Sequence, residues 1–319
     1  MLRARAIVFV VLMVMLVLTV TGAGLAQQFP QKPVTVVTLG SPGSAADMFA
    51  RTLAGVAEKY LGKPIVVENR PGGGGAASMA SVRAAQPDGY TLLQTTRSSS
   101  FLLAGGQLPF GPDAFIYLVR GNADPSALLV RSQDGRFGTV KEFVAYAKAH
   151  PGTLKVGGAG TGSFNHFVAV KFMKEAGIVF SWIPYNSGSD ALLDLLGGRL
   201  DAMIQTPGNA LGQIKAGQVR VLAITTENRS PFYPDVPTFK EEGYAIVELN
   251  WRGILAPAGV PEERLRVLEQ AFTRAMQDPE WATYLTNFQQ EDAFLPRSEF
   301  GRSALEEIEA TREFLKSLR

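Results

Sequence analysis

The chain has 319 residues, with 31 Lys and Arg, 29 Asp and Glu, two His and no Cys. The lack of Cys excludes a disulfide framework, thiol catalysis, Cys-ligated zinc and a lipid-modified Cys anchor. A chain of this length exceeds a typical domain of about 150 residues, so we expect two domains.

The first 26 residues have the layout of a secretory signal peptide. Arg3 and Arg5 precede an apolar run, Ala6–Val20, and small residues lead to Ala26. The run is shorter than the roughly 20 residues of a membrane-spanning helix, so an uncleaved anchor is the weaker alternative. Removing residues 1–26 takes away two arginines and no acid, which leaves 29 basic and 29 acidic residues. The signal-peptide layout predicts a periplasmic protein. The balanced charge gives no support for a nucleic-acid partner, and we expect none.

Strands and helices alternate along the chain in two series. The first series predicts strands at 34–39, 65–68 and 90–94 and helices at 48–61 and 75–85. The second predicts strands at 127–130, 154–156, 179–183, 201–204 and 220–224 and helices at 140–149, 165–176 and 191–196. A strand at 251–255 and helices at 261–277 and 299–318 are expected to return to the first lobe. This pattern predicts two α/β lobes with largely parallel, doubly wound sheets.

Two Gly- and Ser-rich loops each join a strand to a helix, one in each predicted lobe. They are LGSPGSAAD at Leu39–Asp47 and GGAGTGSFNH at Gly157–His166. Backbone N–H groups and the positive ends of two helices could bind one anion between them without Arg or Lys. Alternatively, Ser44 with Asp47 and Ser163 only cap their own helices. Neither loop has a nucleotide-binding signature.

Several sequence blocks occur in a fixed order along the chain after residue 26. Among them are SPGSAAD at Ser41, VVENRPGGGG at Val66, GTGSFNH at Gly160, IPYNSGSDALLDLLGGRLD at Ile183 and GILAPAGVP at Gly253. In these blocks the chain resembles the tripartite tricarboxylate transporter substrate-binding proteins, also called the Bug or TctC family.

The resemblance implies a type II periplasmic-binding-protein fold, with two doubly wound lobes, two crossing strands and a ligand cleft between the lobes. We place lobe 1 at 27–126 plus 252–319 and lobe 2 at 127–251. The resemblance also implies a carboxylate gripped by both loops, partly through water, and a cation-coupled membrane permease as partner. It implies no catalysis. We expect a monomer without metal or cofactor.

The predicted ligand-binding residues lie in the two loops and at nearby strand ends. They are Ser41, Pro42, Gly43, Ser44, Asp47, Thr96, Arg97, Gly160, Thr161, Gly162, Ser163, His166, Tyr185, Asp190, Gln205 and Thr206. Three departures from the family pattern matter, and one of them is Arg97, where small residues are more usual. Ser44 replaces a Gly, and Gln205 and Thr206 replace a loop acid, which argues against a ligand that carries an ammonium group.

Three of these predictions have alternatives, and so does a suggested role for Trp251. Arg97 could pair with a second ligand carboxylate or form an internal salt bridge. Asp190 could contact ligand or complete a cap with Ser187, and His166 could bind ligand or only cap and pack. Tyr185 could wall the cleft together with Trp251, whose alternative role is packing between elements.

The predicted function is the capture of a small organic carboxylate, with a di- or aromatic acid favoured over an amino acid, and its delivery to a tripartite tricarboxylate-type permease. One alternative keeps the binding fold but makes the protein a co-receptor for a sensor kinase. An exported enzyme is the remote alternative, because Gly-x-Ser-x-Gly and His-Glu-x-x-His motifs are absent and the chain has two His.

Overall fold

The computed structural model describes residues 29–316, so the predicted signal peptide at 1–26 lies outside the described residues. Within that span no helix has the length and apolar character that a bilayer crossing requires. The strands form one six-stranded and one five-stranded sheet.

The six-stranded sheet has the order β11-β4-β10-β3-β1-β2. Strand β1 pairs in parallel with β2 and β3, whereas β10 is antiparallel to β3 and β4, and β11 is antiparallel to β4. The strands are β1 (Val34–Thr38), β2 (Ile65–Asn69), β3 (Thr91–Thr96), β4 (Phe115–Pro125), β10 (Leu249–Pro257) and β11 (Glu291–Pro296).

The five-stranded sheet has the order β7-β6-β8-β5-β9. Strand β6 is parallel to β7 and β8, and β5 is antiparallel to β8 and β9. The strands are β5 (Ala127–Arg131), β6 (Lys155–Ala159), β7 (Ser181–Tyr185), β8 (Ala202–Gln205) and β9 (Val219–Ile224).

Helices cover both sheets and bury apolar stripes against them. The first, α1, begins at the Ser44 cap and ends at Gly62, whose φ of 71° is the left-handed conformation that glycine adopts readily. The helices are α1 (Ala45–Leu61), α2 (Ala76–Arg83), α3 (Ser98–Ala104), α4 (Val140–Ala149), α5 (Phe164–Ala176), α6 (Gly188–Leu196), α7 (Leu211–Lys215), α8 (Glu262–Met276), α9 (Pro279–Asn287) and α10 (Arg297–Lys316).

Each lobe has its own hydrophobic core. In the first, Phe49 on α1 meets Trp281 on α9 edge to face, with ring centroids 5.4 Å apart. In the second, Phe172 on α5 lies among Phe143, Phe180 and Phe239. Two separate cores explain how a chain of this length folds as two lobes.

The predicted α/β lobes are confirmed, but the expectation of largely parallel sheets is wrong. Strand β4 continues through Ser126 into β5, so a single extended segment contributes to both sheets. It runs antiparallel to β10 in one sheet and to β8 in the other. Local hydrophobic patterns give no direction for such a crossing strand. The elements β4, β11, α3, α7 and α9 were not predicted.

The chain passes between the sheets at Ser126 and again between Thr225 and Glu248. These three residues are joined: Ser126 N–H donates to the Thr225 hydroxyl at 2.9 Å, and that hydroxyl donates to the Glu248 carbonyl. The predicted lobe boundary at 251/252 falls inside β10, which begins at Leu249. The lobe boundaries themselves remain a proposal.

Candidate ligand-binding site

Two adjoining cavities of about 470 Å³ and 120 Å³ lie between the sheets. Both are lined by Leu39, Ser41, Ser98, Ala159 and Asn186, so they form one continuous cleft. The larger part is also lined by Pro71, Gly72, Gly73, Gly74, Gly75, Gly160, Thr161, Ser163 and Tyr185. The smaller part is also lined by Gly40, Ser44, Ala45, Ala46, Thr96, Asn165, Ser187, Gly188, Gln205, Thr206, Asn209, Asn250 and Arg252.

Three helix starts meet at the smaller cavity. Ala45 and Ala46 open α1, Asn165 lies in the first turn of α5, and Gly188 opens α6. The capping hydroxyl of each helix accepts only the third N–H, as Ser44 does from Asp47. In α5 the first N–H, that of Phe164, donates to Ser98 Oγ, so the N–H of Asn165 and the first two N–H groups of α1 and α6 remain available. Together these helix ends make the cavity electropositive, although few charged side chains line it.

Asp47 clamps the first loop instead of lining the cleft. Its carboxylate accepts hydrogen bonds from Gly43 N at 2.9 Å and Asn69 Nδ2 at 2.7 Å, and it pairs with Arg51 at 2.9 Å. Burial alone would raise the pKa of Asp47, but the hydrogen bonds from Arg51, Gly43 and Asn69 lower it below its ordinary value. The prediction that Asp47 and Gly43 contact ligand is at odds with this geometry, since their polar groups satisfy each other.

Pro42 and Gly43 at the tip of this loop are exposed and do not line either cavity. Ser41 and Ser44 do line the cleft, and Ser44 keeps its role as helix cap, with Oγ 3.3 Å from Asp47 N. The first loop therefore contributes its inner residues and the α1 start, while its tip faces away.

The second loop divides between two cavities. Gly160 and Thr161 line the cleft, whereas Gly162 and His166 line a separate apolar cavity of about 180 Å³ beside Phe167 and Phe314. This placement argues against both as cleft residues.

The polar groups of this loop are engaged internally. Gly162 N–H donates to His166 Nδ1 at 3.2 Å, and Ser163 Oγ donates to the Ala159 carbonyl at 3.0 Å. Burial lowers the pKa of His166, which favours the neutral ring that can accept this bond. His166 and Ser163 therefore stabilise the conformation of the second loop through hydrogen bonds to its backbone.

Arg97 lies outside the cleft, in an internal ion network. Its guanidinium is 2.6 Å from Glu248 and 3.0 Å from Glu307, and it donates to the Leu249 carbonyl. Lys171 of the other lobe also pairs with Glu248, at 2.6 Å. The prediction that Arg97 binds a second ligand carboxylate is therefore not supported, and the salt-bridge alternative describes its position.

Asp190 is exposed and accepts a hydrogen bond from Ser187 Oγ at 2.8 Å, which is the capping alternative. Tyr185 does line the cleft, and burial together with its hydrogen bond to Asp194 raises its pKa to about 12. Trp251 is buried against Phe300 and donates from Nε1 to Glu307, so it packs between elements and does not wall the cleft.

Gln205 and Thr206 lie at the end of β8 and line the smaller cavity. Gln205 Oε1 accepts from Asn165 Nδ2 at 2.8 Å and from Thr206 N at 3.0 Å, which fixes the amide orientation. A Cβ placed on Gly188 would lie 1.5 Å from Gln205 Nε2, so any larger residue at 188 would displace the Gln205 amide. Gln205 thus presents its Nε2 group at the α6 start.

Sequence reasoning missed several cleft residues: Pro71, the glycines Gly72–Gly75, Ser98, Asn165, Asn186, Asn209, Asn250 and Arg252. Asn186 lies in the quoted IPYNSGSD block and Gly72–Gly75 in VVENRPGGGG, so those two were within reach of a motif argument. Asn250 and Arg252 lie on β10, far in sequence from either loop, and no local pattern marks them.

Arg252 is the one charged side chain that lines the two cavities among residues 29–316. It is 2% exposed and donates through Nη1 to Asp124, whose carboxylate raises the pKa of Arg252 against the opposing effect of burial. The described part of the chain contains no group of three or more His, Asp or Glu that could hold a metal ion. The described lining of the cleft therefore carries one cation and no Asp or Glu.

Two α/β lobes that enclose a polar cleft lined by helix starts define a two-lobed solute-binding protein. A family model described as "Tripartite tricarboxylate transporter family receptor" matches residues 49–318, so the chain belongs to this family. This confirms the resemblance inferred from the sequence blocks.

Comparison with individual relatives agrees with this family assignment. The "UPF0065 protein in gbd 5'region" of Cupriavidus necator is 31% identical over 293 residues, covering 92% of this chain and 89% of the relative. The structure of MatC from Rhodopseudomonas palustris with bound malate has 29% identity and a TM-score of 0.82, covering 89% of this chain and 99% of MatC. The structure of Rpa4515 of the same organism with adipate has 25% identity and a TM-score of 0.84, covering 90% of this chain and 97% of Rpa4515. The type II periplasmic-binding-protein fold is confirmed.

Proposed function

We propose that this protein captures a small organic carboxylate in the periplasm and delivers it to a tripartite tricarboxylate-type permease. The observation that carries the proposal is the cleft itself, where three helix starts and Arg252 meet and no carboxylate lines the wall. Such a site favours an anion and disfavours an ammonium group. The malate and adipate held by MatC and Rpa4515 support this ligand class.

Export and delivery rest on the family and on the N-terminal sequence. The family is one of transporter receptors, and a related structure is described as a periplasmic binding protein. The signal-peptide pattern of residues 1–26 supports the same location. We propose further that the protein acts as a monomer, with one ligand per chain.

Calorimetric titration against a panel of mono-, di- and aromatic carboxylates, amino acids and sugars tests the proposal. We expect binding by carboxylates alone. In a separate unfolding experiment, a carboxylate at 100 times its Kd should raise the free energy of unfolding by about 2.7 kcal/mol. Mass spectrometry of ligand released from the purified protein should detect an organic acid. A folded protein that binds none of the carboxylates would contradict the proposal.

A matched pair of variants localises the binding. Gln205→Glu keeps an acceptor for Asn165 and Thr206 but places a negative charge in the cavity, and we expect it to weaken carboxylate binding about 10-fold or more. Gln218→Glu makes the same change at an exposed position and should bind like the wild type. Equal affinity of both variants would place the ligand elsewhere.

A further inference from the structure

Arg252 lies where the sheet of the first lobe faces the cleft. It pairs with Thr96 on β3 and with Asn122 on β4, and residues opposite each other in neighbouring strands point to the same face. Thr96 and Asn250, two residues before Arg252 on the same strand, also line the cavity. The strand register therefore places the Arg252 side chain on the face of the sheet that carries the cleft.

The guanidinium has donors to spare. It bonds to Asp124 through Nη1, whereas its Nε–H has no hydrogen-bond partner among the described residues. An arginine side chain carries five N–H donors, and a buried donor without an acceptor is costly. Arg252 is thus a buried cation that lines the cavity and whose N–H donors are not all used within residues 29–316.

Asp124 holds the cation in place without competing for the same space. It is fully buried and does not line either cavity, and Asn122 Nδ2 donates to its second oxygen at 3.3 Å. Asn122 is held in turn by a hydrogen bond to Gln290 Oε1 at 2.8 Å. Asp124 therefore acts as a positioning residue that lets a charged guanidinium stay buried beside the cleft.

We infer that Arg252 binds a second anionic group of the ligand, so that the protein selects small dicarboxylates over monocarboxylates of equal size. This inference rests on the proposed function. One carboxylate occupies the helix starts of α1, α5 and α6, and the distal carboxylate meets Arg252. The role that the sequence suggested for Arg97 thus belongs to a residue on β10.

Calorimetric titrations with succinate, glutarate and adipate, each compared with its monoamide, test the inference. The amide keeps the size of the ligand and removes only the second charge. At about pH 7.5 both carboxyl groups are ionised. We expect the wild type to bind at least one diacid about 10- to 100-fold more tightly than its monoamide, the range of a charged hydrogen bond.

The informative variant is the double change Arg252→Gln with Asp124→Asn, which removes the buried pair together and leaves no unpaired charge. We expect it to lose the preference for the diacid while its affinity for the monoamide changes less than about threefold. Arg252→Lys, with a compact charge in place of the planar fork, should keep part of the preference. Arg97→Gln removes a cation outside the cleft and should leave the preference unchanged.

Equal loss of diacid and monoamide binding in the double variant, or an unchanged preference, would overturn the assignment of Arg252. No preference for any diacid in the wild type would overturn it as well. These outcomes leave the proposed function standing, because the acids still bind. Failure of every acid to bind the folded wild type contradicts the proposed function instead.

Discussion

At the residue scale, the polar side chains that the sequence singled out either line the cleft or form hydrogen bonds within their own loops. Ser41, Thr96 and Gln205 line the cleft, whereas Asp47 and His166 accept hydrogen bonds from backbone N–H groups of their own loops. Sequence reasoning named all five, because their positions after strands and at helix starts are readable. It could not separate the two roles, because side-chain direction depends on partners such as Asn69, 22 residues from Asp47.

His166 predicts a pH dependence of stability. Burial lowers its pKa in the folded protein, so the neutral ring stabilises the fold above the unfolded value of about 6.5, and this contribution is lost as the pH falls through the folded pKa. Protonation of Nδ1 also removes the acceptor for Gly162 N–H. We expect urea unfolding to show a larger loss of stability between about pH 7.5 and pH 5 in the wild type than in His166→Asn.

The chain has only one other histidine, which provides the control. His150 is exposed and its ring nitrogen lies near the Tyr146 carbonyl. His150→Gln should therefore keep the pH dependence of the wild type. If His166→Asn and His150→Gln have the same dependence, the assigned role of His166 is wrong.

At the element scale, the cleft depends on how helices begin and how turns admit them. The glycines Gly72–Gly75 all have positive φ, between 57° and 136°, and they turn the chain from β2 into α2 beside Thr161 of the other lobe. The sequence GGGG indicated a turn, but only the structure places that turn on the cleft wall. The reason is that β1 lies between β2 and β3, which brings the β2 end next to the first loop.

Two glycine substitutions separate backbone conformation from steric fit. Gly74 has φ 65° and its nearest contact for a Cβ is Thr161 O at 4.0 Å, so Gly74→Ala has space but is strained, and we expect it to destabilise by about 1 kcal/mol. Gly55 lies inside α1 with no atom within 4 Å of a Cβ, so Gly55→Ala should stabilise by about 0.5–1 kcal/mol. Chemical unfolding measures the change in the free energy of unfolding for each variant. Changes of the same sign would contradict the claim that positive φ makes Gly74 necessary and that Gly55 is an ordinary helical position.

At the scale of the whole molecule, the lobes meet around a small hinge. Ser126, Thr225 and Glu248 are bonded to one another where the chain crosses, and Glu248 pairs with Arg97 and Lys171 on either side. The lobes also meet between α3 and α5, where Ser98 Oγ accepts from Phe164 N at 3.2 Å and the rings of Phe101 and Phe167 pack with centroids 4.4 Å apart. The two crossing segments are the only covalent links between the lobes in residues 29–316, so we expect opening by rotation about them.

We therefore expect ligand to shift the protein toward the closed form. The radius of gyration measured by X-ray scattering should fall when a bound carboxylate reaches saturation. Gln205→Glu should need about 10-fold more of the same acid, or more, to show the same change. A profile of the wild type that is identical with and without ligand would contradict closure.

The sequence by itself determined the two α/β lobes, the family and the two Gly- and Ser-rich loops between strand and helix, because these depend on local periodicity, caps and glycine turns that lie within short windows. Tertiary structure decided the mixed sheets, the internal roles of Asp47 and Arg97, and the place of Arg252 in the cleft. These depend on pairing between residues distant in the chain, as between Arg252 and Asp124, 128 residues apart. Strand register brings such pairs together, and register is a property of the assembled sheet.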